Sequence, residues 1–220
     1  MKEEILRKSA LFNGLTETEV EAVLARLPHD VRQYRRGEFL LHSGEETRRF
    51  GILMQGDAMI FQDDFWGNRN ILARLIPGEL FAESYACVPG GILRVSVCAE
   101  NDCKILWLGM RELLDFTTDP RGARLMRNLV AVLAEKNLTM NEKITHVTQR
   151  SIREKLLSFL SAECLRQGNT CFEIRLNRQQ LADYLAVDRS ALSAELSRMR
   201  REGILSYRKN HFELYRPNRT

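Results

Sequence analysis

The spacing of apolar residues changes along the chain, and each change predicts a different kind of element. Up to about residue 28 the apolar positions recur at helical spacing, and Thr16 with Glu19 forms a capping box that predicts a helix start. From residue 31 to 108 they fall in short β-prone runs at 39–41, 51–54, 58–61, 71–76 and 94–97, which glycines separate. Many short strands at this spacing predict an all-β sandwich or barrel.

After Pro120 the pattern becomes helical for 28 residues. Alternating steps of four and three residues give a heptad seam, which predicts a dimer interface made of Met126, Val130, Leu133, Asn137, Met140, Ile144 and Val147. Branched side chains and a single Asn at the a positions favour a parallel two-stranded coiled coil, so we expect a parallel homodimer. The alternative is a single helix that packs on its own domain.

The last third of the sequence predicts two short helices joined by a tight turn. Ser151 with Glu154 forms a second capping box, so a break or hinge is expected near residue 150. Asn177 with Gln180, and then Asp188, mark two further helix starts on either side of a turn at 186–187. Runs at 205–208 and 212–215 predict a β-hairpin, or wing, after the second helix.

Two short helices with a basic second member are typical of the helix-turn-helix, which places its second helix in the DNA major groove. The first residues of that helix reach base edges, while flanking Arg side chains meet phosphates. The predicted DNA-binding residues are Arg178, Asp188, Arg189, Ser190, Ser193, Arg200, Arg201, Arg208 and Lys209. Because helical hairpins also occur in proteins that do not bind DNA, the motif needs support from charge.

The charge distribution supplies that support. The chain has 33 Lys and Arg against 29 Asp and Glu, a net charge of +4. Residues 1–150 carry 20 basic and 21 acidic side chains, whereas residues 151–220 carry 13 and 8. A basic segment behind a neutral body is typical of a polyanion-binding module, because clustered cations displace counterions from phosphates. A solvated basic face is the alternative interpretation.

Composition limits the remaining classes. The longest apolar run covers six residues, 129–134, so no membrane span is expected. The N-terminus is charged and lacks the apolar core of a secretion signal, which favours a cytoplasmic protein whose five cysteines are thiols.

The order of these parts resembles the CRP/FNR family of bacterial transcription regulators over nearly the full length. The matching stretches are LFNGL at 11–15, YRRGE at 34–38, LMQGD at 53–57, PGELFAE at 77–83 and LADYLAVDRS at 181–190. The resemblance implies an α+β protein: a double-stranded β-helix (jelly-roll) barrel like that of cyclic-nucleotide-binding domains in 1–118, a dimerisation helix with its hinge in 119–149, and a winged helix-turn-helix in 150–220. It further implies that Arg189 is the recognition-helix Arg. Ser190 and Ala194 stand where many members have Glu and Arg, so a different operator sequence is expected.

The resemblance also locates a candidate effector pocket. Members that bind cyclic nucleotides hold the phosphate with a Gly-Glu pair followed about ten residues later by Arg-Ser or Arg-Thr. Aligning that Glu with Glu83 places Ala82 for the Gly, Leu93 for the Arg and Arg94 for the Ser. Losing the guanidinium partner of the phosphate costs a charge-assisted hydrogen bond worth about 1.5 to 3 kcal/mol, so an effector other than cyclic AMP is favoured. A bulge at 88–91 that shifts the register would restore Arg94 to the phosphate. The candidate pocket residues are Glu83, Ser84, Leu93, Arg94, Met140 and Asn141.

Other classes of function have weaker support. A thiol redox sensor is the main alternative, but the five cysteines include no Cys-x2-Cys pair, and Cys98 and Cys103 would lie on opposite faces if one strand carried both. The four histidines are scattered, so no metal site is predicted, and no nucleophile and base signature suggests an enzyme. The expected partners are a palindromic operator in double-stranded DNA, a second copy of the chain and, for an activator, RNA polymerase. The effector, the operator sequence and the direction of regulation stay open.

Overall fold

The computed structural model of the chain describes residues 5, 6, 8–66 and 69–215. The chain forms two compact units, and the division falls between Glu135 and Lys136, inside the long helix. The predicted domain boundaries lie instead at the two ends of that helix.

The first unit is a β-structure with short helices at its edges. Its elements are α1 (Glu17–Arg26), β1 (His29–Tyr34), β2 (Phe39–Leu41), β3 (Arg49–Gln55), β4 (Ala58–Asp63), β5 (Arg69–Leu75), β6 (Leu80–Phe81), α2 (Glu83–Cys87), β7 (Ser96–Ala99), β8 (Cys103–Gly109), α3 (Met110–Asp115) and the first part of α4 (Pro120–Val147). Short 3-10 helices cover Ala10–Phe12 and Phe116–Thr118.

The strands form two four-stranded antiparallel sheets, in the orders β1-β8-β3-β6 and β2-β7-β4-β5. Phe50, Ile52 and Leu106 are fully buried in one apolar cluster, while Leu53, Ala58 and Ile105 are fully buried in another. Gly56 shows why glycine occupies a turn between strands: its φ is +85°, and a Cβ there would lie 2.4 Å from the Asp102 carbonyl oxygen. The predicted double-stranded β-helix fold is confirmed.

Several predicted strands differ from the observed ones in their bounds, including the runs predicted at 51–54 and 71–76, which begin at Arg49 and Arg69. The run predicted at 94–97 starts as a strand only at Ser96. Leu93 is held outside the sheet, because its N–H donates to the Glu45 carbonyl and its carbonyl accepts from the Gly44 N–H, both at 2.8 Å. The second wing strand covers His211–Leu214 rather than 212–215.

The helix starts predicted from capping pairs are all present. Thr16 accepts a hydrogen bond from the Glu19 N–H, and the Glu19 carboxylate accepts one from the Thr16 N–H at 2.8 Å. The same reciprocal pair joins Ser151 and Glu154. Helix α4 has the predicted 28 residues.

Within the first unit, α4 packs one face on its own domain. Leu125 and Leu129 are fully buried there, and the side-chain amide of Asn128 donates to the carbonyls of Leu11 and Asn13 at 2.8 and 2.9 Å. Val130, on another face, is exposed. The helix therefore packs one face on its own domain, while the predicted dimer seam stays a prediction.

The second unit contains the end of α4 and a small domain of helices and strands. Its further elements are α5 (Ile152–Gln167), β9 (Cys171–Glu173), α6 (Arg178–Tyr184), α7 (Arg189–Arg201), β10 (Leu205–Arg208) and β11 (His211–Leu214). The three strands form one antiparallel sheet in the order β10-β11-β9. Its core is built on Leu160, Leu181, Leu192, Leu196 and Phe212, all at most 1% exposed.

Candidate nucleic-acid interface and effector domain

Side-chain caps fix the starts of α6 and α7. Asn177 accepts a hydrogen bond from the Gln180 N–H at 3.0 Å, and the Gln180 side chain accepts one from the Asn177 N–H at 2.8 Å. Asp188 accepts from the Ala191 N–H at 2.8 Å. Hydrogen bonds from the Ser190 hydroxyl, and then from the Ala191 N–H, lower the pKa of Asp188, so this carboxylate stays charged at the positive end of α7. Asp188 thus caps the helix.

A tight turn joins the two helices. Ala186 adopts a left-handed conformation with a φ of +51°, and the Val187 N–H donates to the Ala182 carbonyl at 3.0 Å. Leu185 and Leu192, on opposite sides of the turn, are fully buried. The apolar core therefore holds α6 and α7 against each other as a helix-turn-helix.

The outer face of α7 carries small and basic side chains. Arg189, Ser190 and Ala194 are exposed, and Ser193 is half-buried with its hydroxyl donating to the Arg189 carbonyl at 2.9 Å. The small side chains leave the backbone of this face accessible for close approach to a ligand surface, with the Arg189 guanidinium at the N-terminal end.

Glu195 of α7 and its C-cap residue Glu202 form salt bridges on the other side of the helix. Arg153 of α5 donates to Glu195 at 2.6 Å and pairs with Glu202 at 2.8 Å, while Arg198 pairs with Glu195 at 3.3 Å. Hydrogen bonds to Glu202 and Glu195 raise the pKa of Arg153. These bridges fasten α7 to α5 and leave the outer face cationic.

Among the described residues, five basic side chains of this face form no salt bridge with an acidic group: Arg189, Arg200, Arg201, Arg208 and Lys209. All five are exposed. An excess of unneutralised cations on one face is the electrostatic footprint of phosphate binding.

The wing is attached to this face through Tyr207. The guanidinium carbons of Arg178 and Arg200 lie 5.1 and 5.8 Å from the centre of the Tyr207 ring. The Tyr207 hydroxyl is 3.3 Å from that of Ser197 on α7. Burial, and then the nearby charge of Arg189, lowers the pKa of Arg178, so Arg178 and Arg189 belong to one positive region. Half-buried Arg178 also supports the wing, a role that the sequence did not predict.

A cleft of about 430 Å³ lies beside the wing turn. Its lining includes Arg175, Asn177, Arg178, Lys209 and Asn210. Asn210 closes one side, because its amide donates to the Ile174 carbonyl at 3.1 Å. Sequence reasoning missed Arg175, although its position just before the capped start of α6 was a usable signal. The cleft extends the cationic face beyond α7.

The candidate effector residues of the first unit lie around α2. Glu83 is buried, and the preceding Ala82 has a φ of +63°, the left-handed conformation that a glycine adopts most readily. Ser84 is exposed. The position that the resemblance assigns to Gly thus has a conformation suited to glycine, although the residue there is Ala.

Leu93 and Arg94 lie on opposite sides of their segment. Leu93 is buried and Arg94 is exposed, as expected for neighbours in an extended chain, although Arg94 lies in a bend before β7 and not in a strand. The buried position aligned with the phosphate-binding Arg is therefore apolar.

The remaining candidates lie on α4, in the second unit. Met140 and Asn141 are exposed, and the Asn141 amide donates to the Asn137 side chain at 2.8 Å. Of the predicted seam, Val130, Asn137, Met140 and Ile144 are exposed, and Val147 is half-buried. Met126 and Leu133 are half-buried against the core of the first unit, so intramolecular packing covers part of their surface.

Three of the five cysteines lack the lowered pKa of a reactive thiol. Burial raises the pKa of Cys87, Cys98 and Cys103, which disfavours the thiolate at neutral pH. Cys98 lies in β7 and Cys103 in β8, so the condition that one strand carries both is not met, because residues 100–102 separate the two strands.

Across the parts of the chain that the structure describes, no group of three or more His, Cys, Asp or Glu side chains could hold a metal ion. Within the same residues, no helix is both long and apolar enough to cross a membrane.

Two family profiles match the chain. The cyclic nucleotide-binding domain matches residues 31–119, and the Crp-like helix-turn-helix domain matches residues 154–219.

Similar proteins have the same organisation over most of their length. The cyclic AMP receptor protein of Thermus thermophilus is 26% identical over 201 residues, which is 91% of this chain and 89% of that protein. The crystal structure of the catabolite activator protein of Thermus thermophilus matches with a TM-score of 0.52, 25% identity and 94% coverage of both chains. The c-di-GMP-responsive global regulator CLP of Xanthomonas campestris matches with a TM-score of 0.58 at 16% identity, covering 92% of this chain and 100% of that one, and shows the fold alone.

A β-rich domain of the cyclic-nucleotide-binding type, a long helix and a helix-turn-helix together define a transcription regulator with a DNA-binding output. The chain belongs to the CRP/FNR family.

Proposed function

We propose that this chain is a sequence-specific regulator that binds double-stranded DNA through α7 and the wing. One observation carries the proposal: five exposed cations of this face form no salt bridge among the described residues, while Arg153 and Arg198 are paired with Glu195 and Glu202. Such a division of charge presents a cationic surface to one polyanion.

The roles of the side chains follow from their positions. Arg189, at the start of α7, donates to the major-groove edge of a guanine, and Ser190 and Ser193 lie beside it to contact neighbouring bases. Arg200, Arg201, Arg208 and Lys209 bind phosphates, and Asp188 and Arg178 hold the reading elements in place. Because Ser190 and Ala194 replace the larger residues of many relatives, the operator differs from theirs.

The active form is a parallel homodimer formed through α4. Val130, Met140 and Ile144 present apolar side chains to solvent along one seam, and Asn137 lies among them at an a position. Two copies related by a two-fold axis read two half-sites about 34 Å apart, so the operator is palindromic. Where the protein activates transcription, RNA polymerase is a further partner.

The first unit senses a small molecule other than cyclic AMP. Buried Leu93 provides no charge for a phosphate, and Arg94 is exposed. Glu83, Ser84, Leu93 and Arg94 are the candidate contacts in this unit, and Met140 and Asn141 are those on α4. An effector that binds one arrangement of the dimer helix more tightly shifts the population towards that arrangement and so changes the spacing of the recognition helices.

A cyclic-nucleotide-responsive regulator is the second candidate. The match of residues 31–119 to the cyclic nucleotide-binding domain favours it, as does the similarity to a cyclic AMP receptor protein. A thiol-based sensor has less support, because burial raises the pKa of three of the five thiols.

Selection from a random pool of duplexes tests the DNA claim. The wild-type chain is expected to enrich a two-fold symmetric sequence with half-sites one helical turn apart, and recovery of unrelated sequences would refute it. Thermal unfolding with cyclic AMP at about 100 times a micromolar Kd tests the effector claim, since binding there would add about 2.7 kcal/mol of stability. We expect no change in Tm, and an increase would establish the second candidate.

A further inference from the structure

The last turn of α4 is fastened to α5 and α6 by a buried histidine. His146 is 3% exposed, and its Nδ1 lies 2.7 Å from the Ser158 hydroxyl of α5. The imidazole packs edge-on against the ring of Phe159 at 5.7 Å and against that of Tyr184, on α6, at 6.2 Å between ring centres. One side chain thus connects three helices.

This contact bridges the break that the sequence predicts as a hinge. Helix α4 ends at Val147 and α5 begins at Ile152, yet His146 and Ser158 lie on either side of the break and are hydrogen-bonded. Lys155 makes a further connection, since its ammonium donates to the Leu185 carbonyl at the helix-turn-helix turn, at 3.1 Å. Residues 148–151 therefore do not act as a freely rotating hinge, because side-chain contacts join the helices on either side of them.

We propose that His146 is a positioning residue: its neutral imidazole holds the end of the long helix on α5 and α6, and its protonation releases this junction and weakens operator binding. The inference rests on the proposed function, because it assigns a regulated geometry to the same DNA-binding surface. Through this junction the end of the long helix orients the two helices of the helix-turn-helix, α6 and α7.

The surroundings of His146 keep the imidazole neutral at pH 7. Burial lowers the pKa of His146, while Glu142 on its own helix and Glu163 on α5 act in the opposite direction. Glu163 is already paired with Arg166.

Two other charged or titratable groups face the same cluster. On α6, burial raises the pKa of Tyr184, so its phenol stays uncharged. The Lys143 ammonium of α4 lies 5.5 Å from the centre of the Tyr184 ring. Lys143 therefore already places one positive charge beside this cluster. Protonation of His146 places a second positive charge in an aromatic site with little access to water.

The sign of the pH dependence follows from linkage. The folded-state pKa of His146 is below its ordinary value of 6.5, so the released or unfolded chain binds the proton more tightly. The junction is therefore intact above pH 6.5 and loses stability as the pH falls below 6.5. A single linked proton changes an equilibrium by at most about tenfold per pH unit.

Two measurements test the junction. Histidine NMR titration of the free protein is simple, because the chain has four histidines, and the signal absent from His146→Gln identifies the residue. We expect its midpoint below 6.5, and a midpoint at or above 6.5 would overturn the proposal. This result does not depend on DNA, so it remains informative if the proposed function fails.

Operator affinity against pH is the second measurement. From pH 7.5 to 5.5 the wild type is expected to lose about three- to tenfold more affinity than His146→Gln, which cannot take up the proton. The control His42→Gln removes an exposed histidine of the first unit and is expected to follow the wild type. Equal slopes for the wild type and His146→Gln would refute the proposal.

A second, smaller substitution keeps the proposal testable if His146→Gln does not fold. Ser158→Ala removes only the hydroxyl that contacts Nδ1 and leaves the aromatic packing in place. It is expected to displace the midpoint of the wild-type pH profile, whereas an unchanged midpoint and an unchanged affinity at pH 7.5 would show that the contact does not position the helices.

Discussion

Replacing Val130 with Glu is expected to separate the dimer without unfolding the protomer. Val130 is 57% exposed in the single chain and lies at an a position of the seam. Full burial of a Val side chain is worth about 1.5 kcal/mol, so covering roughly half of it contributes about 1 kcal/mol per protomer and about 2 kcal/mol per symmetric dimer. Two carboxylates facing each other at the seam add a desolvation and repulsion cost of at least about 1 kcal/mol.

The total of about 3 kcal/mol predicts a rise of about 100-fold or more in the dimer dissociation constant, since each 1.4 kcal/mol is about tenfold. Leu138→Glu is the matched control. Leu138 is on the same helix and is 69% exposed, but it lies off the seam. The change is equal in charge, and we expect it to leave the dimer intact.

Sedimentation velocity at micromolar concentration, with and without operator DNA, measures both effects. Wild type and Leu138→Glu are expected to sediment as dimers and Val130→Glu as a monomer, with equal helical content by circular dichroism. The reasoning is refuted if the wild type is monomeric under both conditions, or if the two variants shift the dissociation constant equally.

Three further changes test other parts of the structure. Arg208→Gln removes from each protomer a cation that binds phosphate. The slope of log K against log salt concentration should therefore fall by about 0.9 for each phosphate that the variant no longer neutralises, and Arg111→Gln, an exposed control on α3, should leave the slope unchanged. Equal slopes for both variants would argue against the wing assignment. Hydrogen bonds from Arg121 hold the pKa of Asp119 at about 2, below its ordinary 3.8, so this carboxylate stabilises the folded state above pH 3.8 and progressively less as the pH falls towards 2. Asp119→Asn should therefore flatten the fall in Tm between pH 5 and 3, and a fall as steep as that of the wild type would count against this role. Arg153→Met breaks both bridges from α5 to α7, so both Tm and operator affinity should drop, and a variant with unchanged affinity would show that the bridges do not position α7.

Local signals made much of the fold predictable. The starts of α1, α5 and α6 rest on side chains three residues apart, which the sequence shows directly. The wing turn and the 28-residue helix likewise follow from turn residues and periodicity.

Contacts between distant residues were not predictable in the same way. Arg153 meets Glu195 and Glu202, which are 42 and 49 positions away, and no periodic pattern connects them. His146 resembles an ordinary polar residue near a helix end until the fold places it against Tyr184. The seam pattern identified one face of α4, while burial of Leu125 and Leu129 on the other face depends on the first unit.

The effector site was the least predictable part, because its recognition depends on which side chains face inwards. Ala82 has the left-handed conformation that glycine adopts most readily, but buried Leu93 stands where the resemblance places a charged Arg.

The ratio of affinities for the selected operator and a scrambled duplex, measured by fluorescence anisotropy for the wild type and Arg189→Ala, tests the central claim most directly. The wild-type ratio is expected to be at least about 1,000. Removing one guanine contact per half-site, worth about 1 to 3 kcal/mol each, should lower that ratio by at least about tenfold, with less change in affinity for the scrambled duplex. An unchanged ratio in Arg189→Ala, or a wild type that does not distinguish the two duplexes, would contradict the assignment of α7 as the helix that reads DNA sequence.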